Sequence, residues 1–380
     1  MIPASLKCSY AQECGGCPNI AVDDAEQRKS KILALHNSLA EAGANTPPAL
    51  IEFTSAGVQR LRDKVDFSLR SNGLKFTIGF YDRHGDKLLQ IEDCPLMSEP
   101  LRDCYRKFLR DPPPLGRAAV RLRVAPNGQA GVWIDCSHTE IKTLLDQEAW
   151  LNRTSRWALV EIGQKRKRAQ YVEGRWRLKK TEEFFPWFET YTSDGRVFPL
   201  KSCIGSFTQV GFVSNRLILD AVLAQFADFH GRTVLELGSG IGNFTLPLAA
   251  QGIRVTACEL DVLAVKALAE NLKEAGFTDV VQINRTNFYR NTPAFGDWLR
   301  KADALLVDPP RSGLGIFADL VAQCGSRGPS RIVYVSCFLE SLTRDLGRLL
   351  QNGYKVIAAQ IIDQFPHSDH GEYVVTLIRD

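Results

Sequence analysis

Two residues near the end of the chain have side chains that could share one covalent reaction. Cys337 follows the apolar run "IVYVS", and Glu372 precedes the apolar run "YVVTLI". A thiolate can add to an electron-poor carbon, and a carboxylate on the same face can afterwards remove a proton. A cysteine at the end of a strand is also often a small buried hydrophobe. The pair is therefore a candidate nucleophile and proton acceptor, with core packing as the alternative for Cys337.

A second motif, Asp308-Pro309-Pro310-Arg311, follows the apolar run "ALLV". The two prolines lack amide donors and make the chain leave the strand in a rigid, extended form. The motif resembles the one that methyltransferases use to hold a planar nitrogenous base. Amino-group methyltransferases place an aromatic residue after the prolines, whereas this chain has Arg311. The motif therefore favours methyl transfer to a base at an atom other than an amino nitrogen.

A glycine-rich segment, "ELGSGIGNF" at Glu236–Phe244, follows a predicted strand and opens a predicted helix. Its glycines let the backbone approach a ligand where a Cβ would clash. Asn243 stands where a dinucleotide fingerprint has its last glycine, which favours S-adenosylmethionine over NAD, although a purely structural turn is the alternative. Glu259 ends the next strand and could accept hydrogen bonds from both ribose hydroxyls. Asp261 is better suited to cap the following helix.

Four cysteines predict a metal centre. Cys8, Cys14 and Cys17 have the spacing C-x5-C-x2-C, and Cys94 is a fourth thiol farther along the chain. Four thiolates suit a [4Fe-4S] cluster, but zinc accepts the same ligands, so the spacing alone leaves both open. We expect a structural role, clamping the N-terminus to the central part of the chain. The other cysteines are scattered and are predicted to pack internally: Cys104, Cys136, Cys203, Cys258 and Cys324.

The composition is that of a globular protein, with 380 residues of which 44% are hydrophobic and 24% charged. No stretch approaches the length of a membrane span, and Met1–Cys17 has no apolar signal core. The expected location is therefore the cytoplasm, where ten cysteines are not interpreted as a disulfide framework. The net charge is +5 over residues 1–200 and −1 over residues 201–380, which fits a nucleic-acid-contacting part joined to a catalytic part.

The pattern of elements changes near residue 200. Residues 1–200 contain the cysteine loop, an amphipathic helix over roughly Asp24–Ala42 and short alternating strands, which predicts an α+β domain. Residues 201–380 alternate apolar strands with helices, which predicts a Rossmann-like, doubly wound and mostly parallel sheet. Ligands of such sheets bind at the carboxyl ends of the strands, where each motif above falls. We therefore predict two domains, 1–200 and 201–380.

The order of motifs after residue 200 resembles the TrmA/RumA family of RNA (uracil-5-)-methyltransferases. The matching segments are "SFTQVGFVSN", "LELGSGIGNF", "CEL", "DPPRSGL", "YVSC" and "DQFPHSDHGE". The resemblance implies a class I methyltransferase domain that uses S-adenosylmethionine, with Gln209 and the Gly238 backbone helping to hold it. Several members load the same cysteine pattern with [4Fe-4S], so the resemblance favours iron–sulfur over zinc.

The resemblance also implies a reaction. Carbon 5 of uracil is a poor nucleophile, but a thiolate added at carbon 6 turns the ring into an enolate that attacks a methyl group. The resemblance implies that Cys337 supplies this thiolate, that Glu372 removes the carbon-5 proton, and that Asp308 lies at the cofactor and the target base. The uridine must leave its stack to be attacked from the ring face.

The chain departs from the family pattern at three positions. An aromatic residue and a cysteine are usual where this chain has Gly238 and Ser239, which puts side-chain stacking there in doubt. Asparagine is usual after the nucleophile, where this chain has Phe338. None of these changes touches a group that makes or breaks a bond.

Basic and aromatic residues mark a candidate RNA contact. Residues 164–180, "QKRKRAQYVEGRWRLKK", hold eight basic side chains with Tyr171 and Trp176 between them. Basic groups neutralise phosphates and aromatic rings stack on bases, but a solvated hairpin fits the pattern equally well. The family resemblance adds Arg62 and Lys64 as candidate RNA contacts.

The preferred substrate is 23S ribosomal RNA. No separate small β-barrel module precedes Cys8, which resembles the shorter ribosomal-RNA branch of the family. The transfer-RNA branch also lacks this module but typically lacks the cysteine cluster, and it stays as the alternative. We predict a monomer that binds RNA and no membrane.

Two rival functions belong to other classes. A nicotinamide-dependent oxidoreductase with an iron–sulfur cluster is disfavoured by Asn243 and by the pair Cys337 and Glu372. A non-catalytic RNA-binding iron–sulfur protein is disfavoured by the intact Cys337, Glu372 and Asp308.

Overall fold

The computed structural model describes residues 6–73, 75–136, 141–163, 167–180, 183–287 and 293–379. These residues form an eight-stranded sheet, a seven-stranded sheet and a two-stranded ribbon. We call the first the large sheet and the second the small sheet. No helix in the described ranges combines the length and the apolar character needed to cross a membrane.

The described elements begin with runs of consecutive strands between residues 51 and 202, and from residue 212 to residue 336 helices and strands alternate. The α-helices of the described residues are α1 (Asp24–Ala42), α2 (Glu99–Arg110), α3 (Ile141–Leu145), α4 (Glu148–Thr154), α5 (Phe212–Ala224), α6 (Thr245–Ala250), α7 (Val262–Ala275), α8 (Pro293–Lys301), α9 (Ile316–Gln323) and α10 (Leu339–Gln351). The first strands are β1 (Ile51–Ser55), β2 (Lys64–Ser71), β3 (Phe76–Gly79), β4 (Arg117–Val124), β5 (Ala130–Asp135), β6 (Ala158–Ile162), β7 (Lys167–Val172) and β8 (Arg175–Lys180). The later strands are β9 (Phe185–Tyr191), β10 (Val197–Ser202), β11 (Thr233–Leu237), β12 (Arg254–Glu259), β13 (Val281–Arg285), β14 (Ala304–Val307), β15 (Arg331–Ser336), β16 (Lys355–Asp363) and β17 (Glu372–Ile378).

The large sheet has the strand order β1-β16-β17-β15-β14-β11-β12-β13. Its pairs are parallel except those of β17, which runs antiparallel to both β15 and β16. One face packs against α1, α8, α9 and α10, and the other face packs against α5, α6 and α7. The predicted doubly wound, mostly parallel sheet is therefore confirmed.

The reversed strand β17 brings the two candidate catalytic residues to the same edge of the sheet. Ser336, the last residue of β15, lies opposite Tyr373, and Ile362 near the end of β16 lies opposite Glu372. The start of β17 therefore adjoins the carboxyl ends of its two neighbours. Glu372 and Cys337 meet there although 34 residues separate them in the printed numbering.

The small sheet has the order β3-β2-β4-β5-β6-β7-β8 and buries one face under α2 and α4. The alternating burial of β2 and β4 produces this one-sided core, because successive side chains point to opposite faces of a strand. Part of its other face is covered by the segment that leads from β10 to α5. There Arg123 donates to the Ile204 carbonyl at 3.0 Å, and Glu161 accepts from the Ile204 amide at 2.8 Å.

Helix α1 has the bounds that the sequence predicts. The side chain of Asp23 accepts from the Ala25 amide at its start, and Gly43 ends it in the left-handed region with φ of 100°. The helix packs against α10, and β1 extends the large sheet beside β16. These two N-terminal elements therefore belong to the large sheet, which the sequence analysis did not foresee. The domain boundary near residue 200 stays a prediction.

Candidate active site

Five polar residues meet at the carboxyl edge of the large sheet, and we call this group the sheet-edge pocket: Gln209, Asp308, Cys337, Gln364 and Glu372. Asp308 follows β14, Cys337 follows β15, Gln364 follows β16 and Glu372 begins β17. Gln209 reaches the group from the segment before α5 and is tied to it by a hydrogen bond to Gln364. The edge of the sheet positions four of the five without any long loop.

Cys337 is half-buried and is not sealed in the packed interior. Burial raises the pKa of its thiol, and the charges of Glu372 and Asp308 raise it as well. Arg311 acts in the opposite direction, because its guanidinium charge and its hydrogen bond to the thiol lower that pKa. The residue after the two prolines therefore faces the sulfur, which the sequence analysis did not predict.

Glu372 is buried with 3% of its surface exposed. Its Oε2 accepts a hydrogen bond from Gln364 Nε2 at 2.5 Å. Burial is the main cause that raises the pKa of this carboxyl to about 8, and the nearby Asp308 charge adds to the effect. A carboxyl with this pKa can both hold and release a proton near neutral pH, which suits a general base.

Gln209 and Asp308 both belong to the surroundings of Glu372, the first through Gln364 and the second through its charge. Gln209 is buried, and its Oε1 accepts from Gln364 Nε2 at 3.1 Å. Burial and the Glu259 charge raise the pKa of Asp308 to about 7. Acidic groups crowd this edge of the sheet, which favours a ligand that brings positive charge.

The backbone at position 238 explains why this chain has glycine where the family that it resembles usually has an aromatic residue. Its φ is 83°, and a Cβ built on it would lie 2.3 Å from the Asp308 carbonyl oxygen. No side chain fits between the glycine-rich loop and the end of β14 in this arrangement. The loop therefore presents bare backbone beside Asp308, as expected for close approach of a ligand.

Glu259 is hydrogen-bonded to the glycine-rich loop and to the start of the segment before α7. Its Oε2 accepts from the Gly240 amide at 2.9 Å, and its Oε1 accepts from the Leu260 and Asp261 amides at 2.7 and 2.8 Å. The predicted cap is confirmed, because the side chain of Asp261 accepts from the first amides of α7. The contact of Glu259 with a ribose stays a prediction.

Two polar groups below the glycine-rich loop have no partner among the described residues, Glu236 Oε1 and Ser239 Oγ. Glu236 is 1% exposed, and its Oε2 accepts from Thr245 Oγ1 at 2.7 Å. Burial raises the pKa of its carboxyl to about 8. An unpaired buried carboxyl oxygen suits a cationic ligand group. The sequence analysis missed Glu236, although an acid opening the glycine-rich motif was the available signal.

The loop between β16 and β17 is held by the N-terminal segment. Lys31 forms a buried ion pair with Asp363 at 2.7 Å and also donates to the Phe365 carbonyl. His367 has a positive φ of 62°, and its amide donates to Gln27 Oε1 at 2.8 Å. The Asn19 amide donates to the His367 carbonyl at 2.9 Å. Three N-terminal residues thus fix the loop that ends at Glu372.

The four predicted metal ligands line one cavity, which we call the cysteine pocket: Cys8, Cys14, Cys17 and Cys94. Burial raises the pKa of Cys17 to about 12. As placed, no group of three or more His, Cys, Asp or Glu side chains in the described ranges is arranged to hold a metal ion. The structure therefore brings the four thiols to one cavity without showing a formed ligand set.

The remaining cysteines agree with packing roles. Four of them are buried and the fifth, Cys324, packs against the core of the large sheet. Arg62 lines the cysteine pocket, and its predicted contact with RNA stays a prediction. Lys64, the other predicted contact, donates to the Thr208 carbonyl at 2.6 Å and lies over the ring of Phe207. Phe207 itself is 72% exposed.

The basic hairpin β7–β8 forms the edge of the small sheet, and residues 164–166 of the predicted patch lie outside the described residues. Trp176 is buried and donates to Asn152 Oδ1 at 2.9 Å, so it is a core residue. Tyr171 is 57% exposed and contacts Trp176 edge-on. The pairing register places four basic side chains on the face opposite the core: Arg168, Arg175, Arg177 and Lys179.

Sequence comparisons show which known proteins this chain is similar to. A sequence model of the family described as tRNA (Uracil-5-)-methyltransferase matches residues 187–380. An RNA methyltransferase of Bdellovibrio bacteriovorus, described as uncharacterized, is 36% identical over 99% of this chain and 96% of its own length. An Aeromonas hydrophila protein named 23S rRNA (uracil(1939)-C(5))-methyltransferase RlmD is 30% identical over 96% of this chain and 80% of its own length.

A solved structure has the same fold over nearly the whole chain. The Pyrococcus abyssi tRNA (uracil-54, C5)-methyltransferase, crystallised with S-adenosyl-L-homocysteine, matches with a TM-score of 0.69. The match covers 98% of this chain and 88% of that chain at 19% sequence identity. At this identity the likeness concerns the fold.

Proposed function

Because the chain belongs to the tRNA (uracil-5-)-methyltransferase family, we propose that it transfers a methyl group from S-adenosylmethionine to carbon 5 of a specific uridine in RNA. The observation that carries the proposal is the convergence of Cys337, Glu372 and Asp308 at one edge of the large sheet. The reaction requires a nucleophile and a proton acceptor, for which Cys337 and Glu372 are proposed. Asp308 is proposed to lie at the cofactor and the target base.

In the proposed reaction the Cys337 thiolate adds to carbon 6 of the uracil. The electrons of the C5=C6 bond move toward the carbonyl oxygen at position 4, and carbon 5 becomes nucleophilic. S-adenosylmethionine supplies the electrophilic methyl group. Glu372 then takes the carbon-5 proton, the C5=C6 bond re-forms and the thiolate leaves carbon 6.

Arg311 is proposed to stabilise the thiolate of Cys337. The thiol is otherwise held in its neutral form by burial and by the neighbouring carboxylates. A guanidinium in hydrogen-bond contact favours the charged form of its partner. Arg311 would therefore increase the fraction of Cys337 that is present as thiolate, where the pyrimidine must bind.

Cofactor binding is proposed for the glycine-rich loop and the acids around it. Gly238 leaves bare backbone beside Asp308, and Glu236 Oε1 is a buried oxygen without a described partner. These groups fit the methionine part of S-adenosylmethionine, whose ammonium can pair with a buried carboxylate. Gln209 would lie beside the transferred methyl group, and Glu259 would receive the ribose hydroxyls.

We propose that the cysteine pocket holds a [4Fe-4S] cluster, with zinc as the alternative. Four thiols from two separate segments line one cavity, which is the donor set that either metal centre needs. The cluster would crosslink residues 8–17 to the turn that carries Cys94. Its role would be structural, because uracil methylation needs no electron transfer.

The proposed substrate is 23S ribosomal RNA, and transfer RNA is the alternative. The similarity to the Aeromonas hydrophila protein supports the first, because it extends over 96% of this chain at 30% identity. The outer face of the hairpin β7–β8 is proposed to contact RNA phosphates. We propose that the enzyme acts as a monomer in the cytoplasm.

Mass mapping of 5-methyluridine tests this proposal. Ribosomal and transfer RNA from a strain lacking the gene should each be digested and compared with RNA from the parent strain. We expect one 5-methyluridine to disappear from 23S ribosomal RNA and to return when the purified protein is added with S-adenosylmethionine. Loss from transfer RNA would favour the alternative substrate, and an unchanged map would support the non-catalytic RNA-binding function.

A further inference from the structure

Gln364 is a buried amide at the centre of the sheet-edge pocket. It follows β16 directly and is only 1% exposed. Its Nε2 donates to Glu372 Oε2 at 2.5 Å and to Gln209 Oε1 at 3.1 Å. One amide therefore joins the proposed proton acceptor to a residue that reaches the pocket from a different segment.

The two contacts define the orientation of the Gln364 amide. Its NH2 group has two hydrogens and faces two oxygen acceptors, so each hydrogen has a partner, whereas its buried Oε1 has none among the described residues. The reversed amide would place an oxygen against both acceptors and would leave two buried hydrogen bonds unmade, at a cost of roughly 1–3 kcal/mol for each buried group. Burial and the second acceptor thus hold the NH2 group against Glu372.

The same contact distinguishes the two oxygens of the Glu372 carboxylate. Oε2 is occupied by Gln364, whereas no described residue donates to Oε1. A general base must present a free lone pair to the proton that it removes, in a fixed position relative to the reacting carbon. Oε1 has a free lone pair, and the hydrogen bond at Oε2 fixes the position of the carboxylate.

We propose that Gln364 is a positioning residue for the proton-removal step, holding Glu372 so that Oε1 receives the carbon-5 proton of the methylated adduct. The inference rests on the proposed function. In this step the C5–H bond breaks and its electron pair re-forms the C5=C6 bond. The Cys337 sulfur leaves carbon 6 with the electrons of the C–S bond, and the proton moves to Oε1.

The inference separates two steps of one reaction. Thiolate addition and methyl transfer do not require Glu372, whereas release of the methylated product does. Loss of the Gln364 amide should therefore slow product release more than methyl transfer, which it can affect only through the contact of Gln364 with Gln209. The amide donor also stabilises the carboxylate form of Glu372, so its removal should move the rising limb of the release rate to higher pH.

The test compares Gln364→Met with Gln360→Met in single-turnover reactions using radiolabelled S-adenosylmethionine and the RNA substrate. Gln360 is a glutamine of β16 that pairs with Glu52, away from the pocket, and serves as the matched control. Methyl incorporation measures the transfer step. Resolution of the covalent protein–RNA species on a denaturing gel, followed between pH 6 and 9, measures the release step.

For Gln364→Met we expect the covalent species to resolve roughly tenfold more slowly, with a pH profile shifted upward, and methyl incorporation to slow much less than this resolution. Gln360→Met should behave as wild type. Equal slowing of both steps, or resolution at the wild-type rate, would overturn the positioning role. Absence of methylation by the wild-type protein would instead refute the proposed function, so the two failures are distinguishable.

Binding of S-adenosyl-L-homocysteine, measured by calorimetry, checks that the variant is folded. If Gln364→Met does not bind it, Gln364→Asn replaces it, because a shorter side chain keeps the amide but cannot reach both acceptors. The same accumulation of the covalent species is expected. Normal resolution by a folded Gln364→Asn would contradict the inference.

Discussion

The sheet-edge pocket and the cysteine pocket differ in how the fold holds their functional groups. In the first, the ends of paired strands fix the side chains, and Gln364 links Gln209 to Glu372 through two hydrogen bonds. In the second, the thiols have only weak sulfur contacts, such as that of Cys14 with the Gly16 amide at 3.4 Å. The comparison indicates that the protein preorganises the first pocket, whereas in the second the proposed metal centre would have to fix the geometry of the thiols.

The two pockets are nevertheless connected by a short stretch of chain. Cys17 precedes Asn19, whose amide donates to the His367 carbonyl in the loop before Glu372. Gln27 and Lys31 hold the same loop from α1. The segment that follows Cys17 therefore contacts the loop that leads to the proposed proton acceptor.

The largest effect is expected from Cys337→Ala. Without the sulfur nucleophile the carbon-5 atom is not activated, so methyl transfer should fall on the order of 10⁴-fold or more. No covalent adduct should form. The measurement is incorporation of labelled methyl groups into RNA, with Cys324→Ala as the control because that cysteine packs against the core of the large sheet and does not line the cysteine pocket. Residual turnover within tenfold of wild type would remove Cys337 from the mechanism.

Glu372→Gln should be the next most severe change. The amide keeps the shape of the side chain but cannot accept the carbon-5 proton, so turnover should fall about 10²–10⁴-fold. The methylated covalent adduct should accumulate and be visible on a denaturing gel. Glu41→Gln, at an exposed position of α1, is the control. A variant that turns over normally without accumulating adduct would exclude Glu372 as the base.

Cys14→Ser tests whether the cysteine pocket binds the proposed iron–sulfur cluster. Loss of one ligand should remove bound iron and the brown colour of the protein, and should lower the thermal unfolding midpoint by on the order of 10 °C. Elemental analysis and a melting curve measure both effects, with Cys324→Ser as the control. Retained iron would contradict the cluster assignment, as would tightly bound zinc in the wild-type protein.

Cofactor affinity should depend on pH. The folded protein holds protons on Glu236 and Glu372 with pKa values of about 8, and on Asp308 with a pKa of about 7. These values lie above those of an unfolded chain, so the ligand-free fold should lose stability as pH rises from about 5 to 8. A ligand ammonium favours the carboxylate form and should release protons on binding.

Calorimetry with S-adenosyl-L-homocysteine in two buffers of different ionisation enthalpy measures this release. Affinity should rise between pH 6 and 8 by up to about tenfold per pH unit for each proton released. Glu236→Gln should lose part of the dependence. Proton uptake, or an affinity that does not change with pH, would contradict the arrangement of acids around the cofactor.

The smallest effect is expected on the hairpin β7–β8. Lys179 lies on the outer face with three other basic residues, whereas Lys180 lies on the opposite face of the same strand. Lys179→Ala should weaken RNA binding a few-fold and reduce the slope of log affinity against log salt by about 1. Lys180→Ala should leave the slope unchanged. Equal slopes for the two variants would favour the solvated-hairpin interpretation.

Much of the large sheet follows from local patterns. The apolar strands, the cap at Asp261 and the bounds of α1 are set by neighbouring residues, and the sequence predicts them correctly. The addition of β1 to the sheet edge depends on pairing with β16, which is about 300 residues away in the chain. Periodicity within either strand contains no information on that pairing.

The same distinction applies to the sheet-edge pocket. Strand-end motifs identify Cys337, Asp308 and Glu372 because each follows or precedes an apolar run. Gln364 and Arg311 acquire their importance from neighbours on other strands, so spacing alone does not single them out. Lys64 is a further example, because its ammonium donates to the Thr208 carbonyl, a contact with a distant segment that the local sequence does not predict.

The most direct test of the central claim is trapping with RNA that carries 5-fluorouridine at the target position. Fluorine replaces the hydrogen that Glu372 must remove, so the methylated adduct cannot resolve. We expect a stable protein–RNA conjugate that requires S-adenosylmethionine, with mass spectrometry locating the modified uracil on the Cys337 peptide. Methylation of ordinary RNA without any trapped conjugate, or a conjugate at another cysteine, would contradict the account.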